Sequence, residues 1–530
     1  LTPVHQTPDS KMPMLPSSFT TSSSWQSHQD ASSICTNQEL DYDHPYYFGI
    51  EEVAVDADEL ELGLRAHKAT RVDYLSSPYQ ASWPSAQADL ESSRVRKTKQ
   101  FRDVLETCKQ KVEAMEAMER SSSPVGSGGF EEQGEAVVAV DDVRGGGGGS
   151  GADGMRLVQL LVACAEAVAC RDRAQAAALL RELQVGAPVH GTAFQRVASC
   201  FVQGLADRLA LAHPPALGPA SMAFCLPRSS CLDGARGEAL AVAYELCPYL
   251  RFAHFVANTS ILEAFEGESN VHVVDLGMTM GLNRGHQWRA LLDSLATRAC
   301  GKPARVRVTG VGARVDTMRA VGRELEAYAN ELGITLEFMA VDRTLESLHV
   351  DDLGVEADEA VAINSVLELH CVVKESRGAL NSVLQTIRKL SPKAFVLVEQ
   401  DAGHNGPFFL GRFMEALHYY AALFDALDAA LPRYDARRAR VEQFHFGAEI
   451  RNVVGCEGAA RVERHERADQ WRRRMSRAGF QSMPFKMAAK AREWLEENAG
   501  GSGYTVAEEK GCLVLGWKGK PVIAASCWKC

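Results

Sequence analysis

Three stretches carry residues whose types and spacing could do chemistry. The first is Val271, His272, Val273, Val274 and Asp275, an apolar run closed by an acid, with Gly277, Gly281 and Gly285 behind it. A strand ending in this way, followed by glycines, lets backbone amides approach a nucleotide cofactor. The second is Glu368 with His370, a carboxylate and an imidazole that could pass a proton. The third is Cys527-Trp-Lys-Cys530, the chain's one CxxC, which could hold a metal or cycle as a dithiol.

Each falls short on its own terms. A methyl-donor site needs small residues in the first turn, an acid closing the second strand and a substrate-shaping residue after the fourth. The first turn instead places Thr279 between Met278 and Met280. The second strand ends Thr309-Gly-Val-Gly312, with no acid before Asp316. Glu368 and His370 lie two apart and would not share a helix face. The CxxC has no second pair to complete a zinc site. No serine or cysteine triad, P-loop or metal-binding histidine cluster is visible in the sequence. Catalytic residues, cofactor and metal are therefore all expected to be none. Asp275 reads as an acceptor of amides from its own turn, and His272 as a hydrogen-bonded core histidine.

The elements that must position these residues follow from hydrophobic periodicity. Strands are predicted at 271–274, 305–310, 334–341, 360–364 and 394–399, with helices over 287–299, 316–332, 376–390 and 408–431. Strands alternating with helices of this length specify a doubly wound, mainly parallel sheet with right-handed crossovers. The segments 512–516 and 522–526 read as an antiparallel hairpin at the sheet's edge. The outline is α/β, a seven-stranded, Rossmann-like frame of the methyltransferase type. Helical stripes from 155 to 265 precede it and must pack beside or over the sheet.

The 530 residues exceed one ordinary domain. Residues 1–92, rich in Ser, Pro, Gln and Asp, are expected to form a disordered arm. Within it, 39–61 interleaves acids with aromatics, the composition of an activation segment or simply of a solvated tail. Residues 93–120 form a basic amphipathic helix whose Arg94, Arg96, Lys97 and Lys99 make either a nuclear import signal or a charged helix start. A Gly-rich linker, 121–154, leads to the main domain at 155–530. The chain begins at Leu1 rather than Met, so a preceding segment is expected. No apolar stretch is long enough for a membrane helix. The net charge of −11 argues against coating nucleic acid by charge alone. Fourteen scattered cysteines suit reduced thiols better than a disulfide framework.

Leu157, Leu160 and Leu161 fit LxxLL, a helix motif that can lay three leucines into a partner's groove or can serve as core. Arginine is abundant over 433–492, where Arg472, Arg473 and Arg474 are consecutive and could contact DNA phosphates. No recognition-helix pattern accompanies them, so base reading is unsupported. Arg461, Val462, Glu463 and Arg464 read as buried or half-buried ion pairs that lock the sheet end to the cap.

Together these residues resemble the plant GRAS family of transcriptional regulators. Val271 to Asp275 matches the family's VHIID core, and the helices of 157–211 are similar to its first leucine-rich region. Pro407, Phe408, Phe409, Arg412 and Glu415 fall in a PFYRE-like block. Arg461, Val462, Glu463 and Arg464 match its RVER signature, and Trp471, Trp494 and Trp517 punctuate a SAW-like tail. The resemblance covers about 155–530, with 155–265 as cap and first leucine-rich region and 266–530 as α/β core. The turn after Asp275 is longer than in most members. Asp58-Glu-Leu-Glu-Leu62 is superficially similar to the DELLA degron, but the second half of that signature is missing, so gibberellin-receptor binding is not expected. The branch that looks most similar is the dwarf and low-tillering, SCARECROW-like 28 branch.

The resemblance implies a Rossmann-like core under a helical cap and a place in the nucleus. It also implies pairing with other GRAS proteins as homo- or heterodimers, and recruitment to promoters by DNA-binding partners such as zinc-finger proteins. The expected function is that of an interaction scaffold in growth and hormone signalling, brassinosteroid signalling included, with no membrane and only indirect contact with DNA. Direct DNA binding through the arginine-rich region is the alternative, and an S-adenosylmethionine-dependent methyltransferase the third.

Overall fold

Runs of β-branched residues buried on both faces make the centre of this protein. A computed structural model describes residues 150–211, 230–277, 285–432, 434–499, 501 and 503–530. The arm, the basic helix with Arg94, Arg96, Lys97 and Lys99, nearly all of the Gly-rich linker and the long turn 278–284 lie outside them.

Among the described residues five helices come first: α1 (Ser150–Ala169), α2 (Arg173–Gly186), α3 (Ala193–Leu211), α4 (Ser230–Leu246) and α5 (Pro248–Ala264). The alternating section follows as β1 (Asn270–Asp275), α6 (His286–Thr297), β2 (Arg305–Val311), α7 (Val315–Glu331), β3 (Leu336–Val341), β4 (Ala360–Val366), α8 (Gly378–Lys389) and β5 (Ala394–Gln400). Then come α9 (Phe409–Ala430), α10 (Ala436–Arg440), a π-helical turn at Val441–Phe446 and α11 (Gly447–Gly455). The chain ends with α12 (Ala468–Arg477), β6 (Gln481–Met483), α13 (Ala488–Ala499), β7 (Tyr504–Glu509), β8 (Cys512–Trp517) and β9 (Lys520–Lys529).

The described strands form one sheet in the order β3-β2-β1-β4-β5-β9-β8-β7, with β6 also paired to β9. Strands β1 to β5 are parallel. Strand β9 runs antiparallel between β5 and β8. This is the mainly parallel, methyltransferase-type frame, with two corrections. The sheet has nine strands rather than seven, and the terminal hairpin β8–β9 lies inside the edge. The edge is β7, whose outward residues are polar or exposed and so hid the strand from a hydrophobicity reading.

Side chains alternate between two cores. In β1, Val271 and Val273 face one core and Val274 the other; in β5, Val396 and Val398 oppose Phe395 and Leu397. Helices α5, α6, α7 and α9 cover the first face, while α8 and α12 cover the second. Burying one such side chain contributes about 1.5–3 kcal/mol, which fixes the register, since a slip by one residue would exchange the faces.

The cap is not built from the N-terminal helices alone. Helix α3 packs on α9 and α11, and α4 packs on the π-helical turn, whereas α5 lies directly on β4, β5 and β9. Arg196 of α3 makes the tie explicit: its guanidinium lies 2.9 Å from Glu442, both side chains almost wholly buried, and 2.7 Å from Asp428.

Candidate functional site

At the carboxyl ends of β1, β2, β4 and β5, under the cap, lies a cavity of about 520 Å³. Its walls include Leu276 after β1, Val311 and Gly312 at the end of β2, Leu367 and His370 after β4, and Gln400 at the end of β5. Arg236, His445, Glu449, Val462 and Glu463 close it from the cap side. Ligands of open α/β sheets bind in this position.

At the β1 end of that crevice the described polar groups are bonded to one another. Register places Asp275 beside Asn364, whose Nδ2 donates to Asp275 Oδ1 at 3.0 Å. Gln287 Nε2 donates to Asn364 Oδ1 at 3.2 Å and to Asn258 Oδ1 at 3.3 Å, and Asn258 Nδ2 donates to the Gln287 carbonyl at 2.7 Å. One buried network thus joins α5, β1, β4 and α6. The Gly277 amide donates to Asp275 Oδ1 at 3.2 Å. A Cβ at Gly277 would stand 3.2 Å from that of Glu368 and 3.3 Å from the Val366 carbonyl. Close packing of the segment after β4 therefore explains this glycine without a cofactor. Burial raises the Asp275 pKa to about 6, against the hydrogen bonds from Asn364, Gly277 and Trp288.

His272 sits away from the cavity, between Glu359 at 3.0 Å and the Thr309 hydroxyl at 2.8 Å. Burial lowers its pKa although Glu359 pulls the other way. It is a hydrogen-bonded core histidine.

Opposite this corner is a buried ionic cluster that local spacing could not show. His370 Nδ1 lies 2.9 Å from Glu399 Oε2, and its Nε2 lies 3.1 Å from Glu463 Oε2. Cys371 Sγ is 3.3 Å from His370 Nε2, and His465 Nε2 is 3.2 Å from Glu463 Oε2. Arg236 Nη2 donates to Glu463 Oε1 at 3.2 Å. Burial works against charge on His370, yet Cys371 and Glu399 hold its pKa well above the ordinary histidine value. The proton partner for His370 is therefore not Glu368, the neighbour that sequence spacing suggested. Its carboxylates come from 29 and 93 residues away.

The arginines of the RVER motif are structural. Arg464, nearly fully buried, donates to the carbonyls of Arg461 and Gly458 at 2.8 Å each and pairs with Glu375. Arg461 Nη1 donates to the His404 carbonyl at 3.1 Å, and burial with Arg412 and Arg464 nearby lowers its pKa to about 10. Val462 and Glu463 amides both donate to Asn452 Oδ1 at 2.9 Å.

In the PFYRE-like block, Arg412 is buried and donates to the Val453 carbonyl at 3.2 Å and to Glu457. Phe409 packs on the core with Arg208 stacked 3.9 Å above its ring. Glu415 pairs with Arg467 at 2.7 Å. Pro407 and Phe408 are exposed. Trp471 and Trp517 are core residues, the latter donating to Asp425 at 2.6 Å; Trp494 is half-buried and stacks on Phe255.

Two expectations are corrected. Leu157 and Leu161 are buried in the cap core and Leu160 is partly buried against it, so the LxxLL helix does not present three leucines to a partner. Of the described arginines in 433–492, nine have a carboxylate within 4.0 Å: Arg437, Arg438, Arg440, Arg451, Arg461, Arg464, Arg467, Arg472 and Arg474. In the Arg472–Arg473–Arg474 triplet only Arg473 is exposed. Carboxylates paired in this way offset part of the positive charge that would attract phosphates. Among the described residues no helix is long and apolar enough to cross a membrane.

A Rossmann-like, mainly parallel sheet under a helical cap defines the structural class. Within that class the chain belongs to the GRAS domain family, whose family model matches residues 157–529; these are plant regulators of transcription. It is 58% identical over 432 residues to the GRAS family protein RAD1 of Lotus japonicus, covering 81% of this chain and 82% of that protein. It is 39% identical to the DELLA protein GAI1 of Vitis vinifera, over 77% of this chain and 66% of that protein. The crystal structure of SCL7 from Oryza sativa superposes with a TM-score of 0.61 at 33% identity, covering 70% of this chain and 99% of that one.

Proposed function

We propose that this protein acts in the nucleus as a protein–protein interaction scaffold. In this reading it pairs with other GRAS proteins and is brought to promoters by DNA-binding partners such as zinc-finger proteins. One observation carries the reading. The Asp275, Asn364, Gln287 and Asn258 side chains satisfy one another where a methyl donor's nucleoside would need them. Among the described residues these groups are engaged with one another rather than turned to a ligand, which favours a regulatory scaffold over an enzyme. Leu157 and Leu161 are inside, so partners would meet other cap surfaces. The DELLA relatives favour a role in hormone signalling. The extension to brassinosteroid rests on the branch resemblance alone, to which the names of the RAD1 and DELLA relatives do not speak.

The test is co-purification from plant nuclei with identification of bound proteins. Recovery of GRAS proteins and DNA-binding factors is expected, and recovery of neither would contradict the scaffold. Direct DNA binding is the second reading, favoured by the exposed Arg473. It requires a partner-free, sequence-specific shift by the purified protein, with a salt slope that flattens when Arg472, Arg473 and Arg474 become alanine.

A further inference from the structure

The cluster facing the cavity has a geometry that ion pairing alone does not explain. His370 Nε2, Cys371 Sγ, Glu463 Oε2 and His465 Nε2 are four donors chained at 3.3, 3.1 and 3.2 Å. Around a tetrahedral zinc ion with bonds of about 2.0–2.3 Å, donor atoms stand roughly 3.2–3.8 Å apart. The three linked pairs already stand at or near that spacing, and one ligand atom each of His370 and His465 lie within 4.8 Å of each other.

Two further features point the same way. The other ring nitrogen of His370 is held by Glu399, whose second oxygen accepts the His370 backbone amide at 3.2 Å. A carboxylate clamping the far nitrogen of a ligating imidazole is the usual outer partner of a metal-bound histidine, because it fixes the tautomer and raises basicity. Independently, His465 is 1% exposed and neither ring nitrogen has a hydrogen-bond partner; its contact with Glu463 is off-line for one. An unsatisfied buried imidazole is destabilising, and a bound cation would satisfy it.

We propose that His370, Cys371, Glu463 and His465 form a binding site for one zinc ion, with Glu399 and Arg236 as its outer partners. Two imidazoles, a thiolate and a carboxylate are a donor set that suits zinc rather than magnesium or calcium. Arg236 occupies Glu463 Oε1 and leaves Oε2 for the ion. On binding, the imidazole of His370 gives up its Nε2 proton and Cys371 its thiol proton, so the two positive charges that enter are matched by two protons released. Four protein donors close the coordination shell, which makes the site structural. The ion would staple the turn after β4, carrying His370 and Cys371, to the segment between α11 and α12 that carries Glu463 and His465. Both line the cavity beneath the cap, so occupancy would fix the cap against the sheet.

The experiment is elemental analysis of the purified full chain after exhaustive dialysis against metal-free buffer, with cobalt(II) titration of the stripped protein. One equivalent of zinc is expected, and one equivalent of cobalt should produce a thiolate-to-cobalt charge-transfer band. Cys371→Ser should abolish that band, and His465→Gln should reduce retained zinc to background. Glu399→Gln should weaken zinc binding by about ten- to a hundredfold while sparing the coordinating atoms. Cys530→Ser, which breaks the terminal CxxC, should change nothing. The wild-type cobalt spectrum needs no variant to fold. Zinc at background with no charge-transfer band would overturn the proposal, as would a band that survives Cys371→Ser. In either case His370 would be an imidazolium bridging Glu399 and Glu463 with no ion.

Discussion

Asn364 donates its side-chain amide to Asp275 at 3.0 Å across adjacent parallel strands, at the position where a methyltransferase-type sheet opens to its cofactor. Both side chains are buried, and Gln287 and Asn258 complete the network behind them. The acid that looks like a ligand-binding residue in the sequence is a brace between β1, β4 and two helices.

Asp275 has a folded pKa of about 6, above its ordinary value of 3.8, because burial disfavours its charge. The folded state therefore holds this proton more tightly than the unfolded chain. Its contribution is fully present below the unfolded pKa and is lost as pH rises through 6, about 3 kcal/mol in all. In Asp275→Asn this titration is removed. Urea midpoints at pH 5 and pH 7 should show the variant gaining on the wild type at the higher pH; a constant difference would refute the assignment.

His254 titrates in the opposite sense. It is buried beside Tyr244, with burial foremost and the charge of His286 second in lowering its pKa to about 3. Its neutral form is the folded one, so stability is present above the unfolded pKa near 6.5 and falls as pH drops toward 3. His254→Gln should move the acid-unfolding midpoint to lower pH, read by circular dichroism. An unchanged midpoint would remove His254 from the acid response.

Arg196 and Glu442 test the union of the N-terminal helices with the π-helical turn. Arg196→Ala leaves buried Glu442 with only Arg438, 3.5 Å away, as its partner and should cost about 3–5 kcal/mol. Replacing both with Met and Leu should recover most of that loss. A single variant within 1 kcal/mol of wild type would show that the pair is not buried in solution.

Leu160 and Leu161 separate docking from core. Leu161→Ala removes a fully buried side chain and should cost about 2–5 kcal/mol in chemical denaturation. Leu160→Ala, at a partly buried site, should cost less. If partner capture falls in Leu160→Ala while its stability holds, the helix surface contacts partners after all; the expected result is no change in capture.

The legible part of the fold was the part buried on both faces. β1, β4 and β5 are near-continuous runs of apolar residues, and their ends were readable to within two residues. β7 escaped because Tyr504–Glu509 lies at an edge and carries acids outward. The segment 436–455 escaped because its arginines hid three helical pieces whose buried residues, Arg438 and Glu442 among them, are charged. At the site, Asp275 and Gly277 were visible as a pair, since strand and turn are local. The cluster around His370 was not, because it forms only when β5 and the RVER segment arrive from far along the chain. Periodicity could place the three leucines of α1 on one helix face without saying that the face points inward.

The central claim is that the polar groups at the end of β1 bind one another and not a cofactor. Isothermal titration of the purified chain with S-adenosylmethionine tests it most directly. No heat of binding is expected up to millimolar ligand. Micromolar binding that disappears in Asp275→Ala would contradict the account.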